Sequence, residues 1–219
     1  MSEPASCLDT TRFSQPTRGY RFSADAVALA GFAQAGNFET VLDLCSGCGV
    51  IPILMWQRSP FRHGVGVELD LELATLARSN VAQFGLWNKI SIINADIRSL
   101  SVGDLQAGQP ADPACRFDVI TANPPYWPAG RGRLNPNRQM AAARHETSLT
   151  IADLFSAADK FLKPGGRFYL SHLESRRSEI LENFARAHLA VRSIQRIPEL
   201  AGRLLFEARV GCAPSISAH

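Results

Sequence analysis

The chain has 219 residues, of which 46% are hydrophobic, and its formal net charge is +3. This length favours one domain with a sizeable core, and so weak a positive charge does not by itself indicate a nucleic-acid partner. No run approaches the roughly 18 apolar residues of a membrane helix, and the N-terminal residues lack the apolar core of a signal peptide. We therefore expect no membrane partner and a cytoplasmic location, with the five cysteines reduced.

The first part of the chain predicts a flexible N-terminal segment over residues 1–19, because polar residues, prolines and a glycine interrupt any periodic pattern. One domain is expected over residues 20–212, followed by a tail over residues 213–219. Near the start of the domain, Ser23 is a candidate N-cap for the following helix, and Asp25 favours its first turn. The alternative is that Ser23 or Asp25 contacts a cofactor.

A predicted strand over residues 40–44, a glycine-rich loop over residues 45–49 and a helix over residues 50–58 form one unit. Glycine lets the backbone approach a ligand, and a helix N-terminus supplies unpaired N–H groups, so the unit is typical of a nucleotide-binding cradle. Pro52 stands at the third glycine position of the dinucleotide-binding pattern, and no Gly-Lys-Ser/Thr follows for a phosphate-binding loop. Asp43 is the first acid at this end of a strand.

The next two predicted strands also finish in acids. The second strand, residues 63–69, ends near Glu68, and the third is followed by Asp96. In nucleoside-binding α/β folds an acid after the second strand accepts hydrogen bonds from a ribose diol. The alternative for Glu68 is an N-terminal charge for the next helix, for which Asp70 is better placed. Three acids, Asp43, Glu68 and Asp96, therefore predict a ligand site at one edge of the sheet.

The most informative stretch is residues 123–126, Asn-Pro-Pro-Tyr, directly after a predicted buried strand over residues 117–122. Two prolines cannot continue a strand, so Asn123 is expected at the carboxyl edge of the sheet, where ligands bind in open α/β folds. The Asn123 oxygen and the Pro124 carbonyl can accept hydrogen bonds from a planar amine while Tyr126 stacks on it. That arrangement suits methyl transfer to nitrogen, which needs positioning more than an acid or a base. The alternative is a simple strand-ending turn.

The long segment after this motif contains four arginines and no acid between Pro124 and His145. A loop interrupted by Gly and Pro beside a site is often a substrate-binding loop, and arginine binds phosphate as a planar fork. We predict a polyanionic substrate, with solvated surface arginines as the alternative. The predicted substrate contacts are Tyr126, Trp127, Arg131, Arg133, Arg138 and Arg144.

The rest of the chain predicts further α/β units and a final hairpin. Residues 99–116 are expected to form a loop. Thr150 and Asp153 have the spacing of a capping box, and the helix they begin ends at the Lys-Pro-Gly-Gly turn of residues 163–166. A strand, a helix and two strands follow over residues 167–171, 174–187, 189–197 and 203–210. The direct succession of the last two strands indicates an antiparallel pair, so we predict an α/β fold with a seven-stranded mixed sheet, mostly parallel with a final antiparallel strand and with helices on both faces.

Together these motifs resemble those of the class I S-adenosylmethionine-dependent methyltransferases, over about residues 20–212. The motifs that carry the resemblance are Asp43-x-x-x-Gly47-x-Gly49, Glu68, Asp96 and Asn123-Pro124-Pro125-Tyr126. The resemblance implies a Rossmann-like sheet, S-adenosyl-L-methionine as the cofactor and no metal. It also implies that Asn123, Pro124 and Tyr126 are the catalytic residues, which hold the target amine and stack on it.

The same resemblance assigns the cofactor contacts to the strand ends. Gly47 and Gly49 would cradle the methionine portion, Glu68 would hold the ribose hydroxyls, and Asp96 with Ile97 would border the adenine ring. The full predicted cofactor set is Ser23, Asp43, Cys45, Gly47, Gly49, Glu68, Leu69, Asp96, Ile97 and Asn123. The chain departs from the family at Cys45, which stands where the family has its first loop glycine.

A narrower resemblance is to the tRNA adenine-N6-methyltransferases that modify adenine 37 beside the anticodon of a valine tRNA. It is carried by residues 20–27, by the Asn-Pro-Pro-Tyr motif, and by residues 133–136 and 143–146. It implies tRNA as the partner and N6-methylation of an adenine that is turned out of its loop, which costs least in single-stranded RNA. The arginine loop would contact phosphates, and a monomer or weak homodimer is expected.

Other functions remain open from the sequence. A glutamine-N5 protein methyltransferase would use the same grip on an amide nitrogen, although its relatives carry a helical domain before the glycine loop. DNA or rRNA adenine methyltransferases and small-molecule methyltransferases are further alternatives. Cys45-x-x-Cys48 at a strand-to-helix junction also fits a redox protein. An RNA-binding protein without catalytic activity would keep the arginine loop and fail to bind the cofactor.

Overall fold

The computed structural model describes residues 10–17, 21–106, 116–125 and 149–211. In this part of the chain seven strands form one sheet: β1 (Thr40–Leu44), β2 (His63–Glu68), β3 (Ile90–Asn94), β4 (Phe117–Ala122), β5 (Leu162–Leu173), β6 (Leu189–Arg196) and β7 (Arg203–Val210). The helices are α1 (Ala24–Phe32), α2 (Val50–Arg58), α3 (Leu71–Gln83), α4 (Val102–Gln106), α5 (Ile151–Phe161) and α6 (Arg177–Arg186), with a 3-10 turn at Glu174–Arg176.

The sheet has the strand order β3-β2-β1-β4-β5-β7-β6. Strands β1 to β5 pair in parallel, and β7 is antiparallel to both β5 and β6. The prediction of a mostly parallel mixed sheet with a final antiparallel strand is confirmed. From β1 the chain adds β2 and β3 on one side, whereas β4 and the later strands lie on the other side of β1. The carboxyl ends of β1 and β4 therefore flank a topological switch point, where open α/β sheets form a crevice.

Apolar side chains cover both faces of the sheet, because alternate residues of a strand point to opposite sides. On one face Leu42 and Leu44 belong to a buried cluster with Phe155 of α5. On the other face Val41 belongs to a second cluster with Leu29 of α1. The predicted helical layers on both faces are therefore confirmed, and the site described below lies at the strand ends between them.

Two predicted helix starts are confirmed by their hydrogen bonds. Thr150 Oγ1 accepts from the Asp153 backbone N–H at 3.1 Å, and Asp153 Oδ2 accepts from the Thr150 N–H at 2.9 Å, which completes a capping box. Asp70 Oδ1 accepts from the N–H groups of Glu72 at 2.9 Å and Leu73 at 3.1 Å. Asp70 therefore caps α3, and Glu68 is left for another role.

The predicted N-cap position of Ser23 and the place of Asp25 in the first turn of α1 are confirmed. The Ser23 hydroxyl donates a hydrogen bond to Asp25 Oδ1 and makes no side-chain cap bond. The Asp25 carboxylate, a stronger acceptor than a hydroxyl, also accepts from the Ala26 N–H at 3.0 Å. Both side chains lie on the wall of the cavity described below.

In the predicted loop over residues 99–116 the structure describes residues 99–106 and 116, and a short helix, α4, lies in the first of these ranges. Ser101 and Asp104 cap its start reciprocally, since the Ser101 N–H donates to Asp104 Oδ2 at 2.8 Å and the Asp104 N–H donates to Ser101 Oγ at 3.3 Å. The helix has only five residues, too few to show an apolar period in the sequence.

Strand β5 starts earlier than predicted, at Leu162 rather than at residue 167. It includes the Lys-Pro-Gly-Gly turn, where Gly165 has a φ of +75°. The pairing with β4 is irregular there, because the register shifts between Phe117 and Val119. The turn is thus accommodated as a bulge inside the strand.

Residues 10–17, part of the predicted flexible segment, pack on the end of α3. The Ser14 N–H donates to Asn80 Oδ1 at 2.8 Å, and Asn80 Nδ2 donates to the Ser14 carbonyl at 3.0 Å. The Phe13 and Phe84 ring centroids are 4.7 Å apart. The predicted domain limits at residues 20 and 212 fall outside the described residues and stay predictions. Within the described ranges, no helix is long and apolar enough to cross a membrane.

Candidate active site

A cavity of about 760 Å³ opens at the carboxyl edge of the sheet. This volume lies within the range of about 300–1,000 Å³ typical of small-molecule and cofactor sites. Nine residues predicted from the sequence line it: Ser23, Cys45, Gly47, Glu68, Leu69, Asp96, Ile97, Asn123 and Pro124. The ends of β1, β2, β3 and β4 thus contribute to one cavity, as expected from the acids and the Asn-Pro-Pro stretch.

The glycine-rich loop takes an unusual backbone path. Cys45, Gly47 and Gly49 all have positive φ, at +62°, +56° and +79°. Such a conformation is readily adopted by glycine but costs an L-residue about 1–2 kcal/mol. Cys45 therefore adopts a backbone conformation that glycine takes without strain, and its side chain stands at the cavity wall.

Close contacts hold this loop over β2. The Ser46 N–H donates to the Val67 carbonyl at 3.0 Å, and a Cβ added at Gly66 would lie 2.6 Å from Ser46 Oγ. Gly49 faces α3 instead, where an added Cβ would lie 3.3 Å from Ala77 Cβ. The structure thus separates the two predicted cradle glycines: Gly47 borders the cavity, and Gly49 allows the helix α3 to approach.

Glu68 links the loop to the second strand. Its Oε2 accepts from the Gly47 N–H at 2.8 Å, and its Oε1 accepts from the Asp70 N–H at 2.9 Å. Burial raises the pKa of this carboxyl, and the two backbone bonds act in the opposite direction. The Leu69 N–H also contributes to the lowering. Because each carboxylate oxygen can accept two hydrogen bonds, Glu68 keeps some acceptor capacity for a ligand hydroxyl.

Asp43 lies beneath the loop, fully buried, rather than on the cavity wall. Thr121 Oγ1 donates to Asp43 Oδ1 at 2.6 Å, and the two residues are register partners on β1 and β4. Burial raises the pKa of Asp43 to about 7, against the lowering effect of the Thr121 hydrogen bond. Because Asp43 stands two residues before Cys45 and Thr121 two before Asn123, this bond fixes the glycine loop relative to the Asn-Pro-Pro turn.

Asn123 occupies the other side of the switch point. It directly follows Ala122, which pairs with Leu44 of β1 and Leu170 of β5, and it is only 8% exposed. Pro124 and Pro125 line the cavity beside it. The amide of Asn123 and the glycine loop therefore border the same space from neighbouring strands.

The Asp96 carboxylate accepts several hydrogen bonds from Arg98. Oδ1 accepts from the Arg98 backbone N–H at 2.9 Å and from Arg98 Nε at 2.9 Å, and Oδ2 also accepts from the guanidinium. These hydrogen bonds to Arg98 lower the pKa of Asp96. The adjacent Ile97 presents an apolar surface to the same cavity, so the end of β3 offers both a flat apolar contact and a charged pair.

On the wall opposite the strand ends, the sequence had indicated only Ser23 and Asp25 as possible contacts. This wall comes from the start of α1, where Arg21 and Asp25 line the cavity, and from Glu199 in the β6–β7 turn with Arg203, the first residue of β7. Arg203 Nε lies 3.6 Å from Asp25 Oδ2, so an ion pair joins these two segments. The turn between β6 and β7 carries no motif, and only the topology of the last strands brings it to this edge.

The predicted substrate contacts lie outside the described residues. These are Tyr126, Trp127, Arg131, Arg133, Arg138 and Arg144. Their assignment as substrate-binding residues stays a prediction. In the ranges that the structure describes, no group of three or more His, Cys, Asp or Glu residues could hold a metal ion.

The two loop thiols do not have the properties of a redox pair. Burial raises the pKa of Cys45 far above its usual value and that of Cys48 to about 11. Reactive cysteines have a lowered pKa, because the thiolate is the nucleophile. The redox alternative therefore loses its chemical basis.

The curated proteins to which this sequence is similar include tRNA methyltransferases. The chain is 33% identical over 162 residues to a tRNA1(Val) (adenine(37)-N6)-methyltransferase of Aeromonas hydrophila, an alignment that covers 74% of this chain and 63% of the relative. It is 34% identical over 154 residues to the protein of the same name from Porphyromonas gingivalis, covering 68% of this chain and 57% of the relative. The chain thus spans about three fifths of the length of these relatives. No protein-family model matches the chain.

Solved structures with the same architecture are methyltransferases. A methyltransferase from Pyrococcus furiosus aligns over 95% of this chain and 93% of its own, with a TM-score of 0.66 and 17% identity. The fold is that of the Rossmann-like methyltransferases. Geranyl diphosphate C-methyltransferase from Streptomyces coelicolor, solved with Mg²⁺, geranyl diphosphate and S-adenosyl-L-homocysteine, aligns over 84% of this chain and 79% of its own, with a TM-score of 0.59 and 16% identity.

The methyltransferase fold accounts for the position of the cavity. In open α/β sheets a ligand binds outside the carboxyl ends of the strands at the switch point. Here that point lies between β1, which leads into the glycine loop, and β4, which leads into Asn123. The two most specific sequence motifs are therefore the two that the topology brings side by side.

Proposed function

We propose that this protein transfers a methyl group from S-adenosyl-L-methionine to N6 of an adenine in tRNA. The observation that carries the proposal is that Asn123 and Pro124 border the same cavity as Gly47 and Glu68. The two relatives named above, at 33% and 34% identity, support tRNA as the substrate, and their names point to adenine 37 of a valine tRNA.

The cavity fits the cofactor part by part. Glu68 lines the cavity and keeps acceptor capacity beyond its backbone hydrogen bonds, so its carboxylate would hold the ribose hydroxyls. Leu69 and Ile97 supply apolar surface for the adenine ring, and Cys45 and Gly47 border the part of the cavity next to Asn123. Ser23 and Asp25 on the opposite wall complete the polar contacts.

The chain's own residues would act by orienting the target nitrogen. When bound, S-adenosyl-L-methionine supplies an electrophilic methyl group on a sulfonium sulfur. Asn123 Oδ1 and the Pro124 carbonyl would each accept an N–H of the exocyclic amine, which turns the nitrogen lone pair towards the glycine loop. The buried position of Asn123 makes this hydrogen bond strong and directional, since little water competes for it. Tyr126 and Trp127 would stack on the base, at roughly 1–3 kcal/mol per base.

The phosphate contacts of the substrate would come from the loop after the motif. We assign them to Arg131, Arg133, Arg138 and Arg144, which fits the planar fork that arginine presents to phosphate. A tRNA substrate is also consistent with the expected cytoplasmic location. A monomer or weak homodimer remains the expected oligomeric state.

Replacing Asn123 by alanine tests the proposal directly. We expect Asn123→Ala to lower kcat for tRNA methylation by about 100-fold or more, the range seen when one preorganised hydrogen-bonding group is removed from an active site. The dissociation constant for S-adenosyl-L-methionine, measured by calorimetry, should change by less than about 5-fold, roughly 1 kcal/mol. Gln57→Ala, which removes an exposed amide from α2, is the matched control and should behave as the wild type. Equal losses of turnover and cofactor binding in Asn123→Ala would make Asn123 a structural residue and contradict the proposal.

A glutamine-N5 protein methyltransferase is the rival function, because Asn123 and the Pro124 carbonyl could also accept hydrogen bonds from the amide nitrogen of a glutamine side chain. Incubation with radiolabelled S-adenosyl-L-methionine and either total tRNA or total protein separates the two. Label in tRNA that is recovered as N6-methyladenosine after nuclease digestion supports the proposal. Label in protein alone would replace it with the rival.

A further inference from the structure

Two large aromatic side chains are exposed at the end of the sheet that faces away from the cavity. Phe38 is 90% exposed and Trp87 is 74% exposed. Phe38 lies two residues before β1, and Trp87 lies three residues before β3, so both stand at the amino edge of the parallel strands. A single exposed ring is common on protein surfaces, but two rings at the same edge of a sheet are informative when charged side chains accompany them.

Basic residues stand between and beside these rings. The Arg62 N–H, just before β2, donates to the carbonyl of Glu39, the neighbour of Phe38, at 2.9 Å. The Gly64 N–H of β2 donates to the carbonyl of Lys89, two residues after Trp87, also at 2.9 Å. Because β2 lies between β1 and β3, the order along this edge is Phe38, Arg62 and then Trp87 with Lys89. We call these four residues the amino-edge surface.

The local charge at the amino-edge surface is positive. Glu39 is the one acid in the three described loops that lead into β1, β2 and β3, and it is paired with Arg167. Among the residues that the structure describes, Arg62 and Lys89 have no ion-pair partner. His63 responds to them: its pKa falls to about 4, first because it is buried and then because of the charges of Lys89 and Arg62.

Alternating aromatic and basic side chains are what a single-stranded nucleic acid requires. Bases stack on aromatic rings whatever their sequence, and phosphates are neutralised by neighbouring cations. Neutral protein partners would leave the two charges unused, and an acidic peptide would leave the two rings without planar partners. We propose that the amino-edge surface is a second RNA-binding surface, on which bases stack on Phe38 and Trp87 while Arg62 and Lys89 contact phosphates.

This surface is separate from the candidate active site. Strands of five or six residues, such as β1 and β2, place the two edges of the sheet roughly 17–20 Å apart. A folded RNA can extend over that distance around the β3 edge of the sheet. The inference takes RNA as the partner from the proposed function, but RNA binding at this surface does not require that the protein methylate the RNA.

The test is the affinity for fluorescently labelled total tRNA, measured by anisotropy without cofactor. We expect Phe38→Ala and Trp87→Ala each to weaken binding by about 5-fold or more, the lower end of the range for removal of one stacked base. The double variant Arg62→Gln, Lys89→Gln should reduce the slope of log affinity against log salt by roughly 0.7 for each phosphate that is no longer neutralised. Because all four side chains reach the surface, these variants should keep the fold and the wild-type affinity for S-adenosyl-L-methionine.

A matched control is available on the same molecule. Arg186→Gln removes a 74% exposed charge from α6, on a part of the molecule outside both surfaces, and should bind tRNA as the wild type does. Wild-type tRNA affinity in both aromatic variants would overturn the inference, even if the same variants no longer bound a protein partner. Weakened tRNA binding in a protein that proves unable to methylate tRNA would overturn the proposed function and leave this inference standing.

Discussion

The buried carboxyl group of Asp43 predicts an unusual dependence of stability on pH. Burial between β1 and β4 raises its pKa from 3.8 to about 7. The unfolded chain ionises this group near its ordinary pKa, so between the two values the native state binds a proton that the unfolded state has lost. A group of this kind stabilises the native state less as pH rises. Its contribution to the free energy of unfolding should therefore fall between about pH 4 and pH 7 and become constant above.

The size of the effect follows from the pKa change. One pKa unit corresponds to about 1.36 kcal/mol, so a rise from 3.8 to about 7 corresponds to about 4 kcal/mol. Asp43→Asn keeps an oxygen for the Thr121 hydroxyl and removes the ionisation. The Ser46 hydroxyl also lowers the pKa of Asp43, and in the variant it can accept a hydrogen bond from the new NH₂ group.

We therefore expect Asp43→Asn to gain stability relative to the wild type as pH rises. The difference in unfolding free energy should grow by about 4 kcal/mol between pH 4 and pH 8. Urea denaturation followed by circular dichroism at half-unit pH steps measures it. Asp159→Asn, an exposed carboxylate of α5, is the matched control and should show no such trend. A constant difference between Asp43→Asn and the wild type across this range would refute the reasoning, because the buried carboxyl would then not titrate above its ordinary pKa.

Two further changes test the cofactor half of the site. In Gly66→Ala the new Cβ would lie 2.6 Å from Ser46 Oγ, 2.8 Å from Ile92 Cδ1 and 3.0 Å from Ser46 Cβ. The two side chains have to move, and the close Ser46 Cβ passes the displacement on to the glycine loop. We expect calorimetry to show cofactor affinity reduced by about 10-fold or more, roughly 1.4 kcal/mol. Glu68→Gln removes the charge that accepts from the Gly47 N–H at 2.8 Å and places an NH₂ group where only acceptors are useful. We expect a loss of at least the same size for S-adenosyl-L-homocysteine, because both ligands carry the ribose diol.

Each of these changes has a control of the same chemistry. At Gly103 an added Cβ would meet Ser101 Oγ at 3.6 Å, an ordinary contact, so Gly103→Ala should bind the cofactor normally. Glu182→Gln changes a carboxylate that is 65% exposed on α6. Normal cofactor affinity in Gly66→Ala would show that the loop tolerates displacement, and normal affinity in Glu68→Gln would remove Glu68 from the ribose contact.

The sequence predicted the parts of the site that are local in the chain. A strand that ends in an acid, a loop with glycines and a strand that ends in Asn-Pro-Pro each carry their own pattern, and the structure brings Gly47, Glu68 and Asn123 to one cavity. Parallel strands make this possible, because every carboxyl end falls on the same edge. Asp43 was assigned to the cofactor from its place in the motif, yet it lies fully buried beneath the glycine loop. Side chains along a strand alternate between the two faces of the sheet, and the motif does not indicate which of them reach the cavity.

The position of the cavity wall opposite the strand ends depends on where β7 is inserted in the sheet. No local sequence pattern specifies that position. The sequence indicated that β6 and β7 are an antiparallel pair, but not that β7 lies between β5 and β6. Because β7 is antiparallel to β5, β6 runs parallel to the first five strands and ends at the carboxyl edge, where the chain turns back. That turn carries Glu199 and leads to Arg203, whose ion pair with Asp25 closes the cavity against the start of α1. A change that shortened this turn would therefore alter the cavity although none of its residues belongs to a recognisable motif.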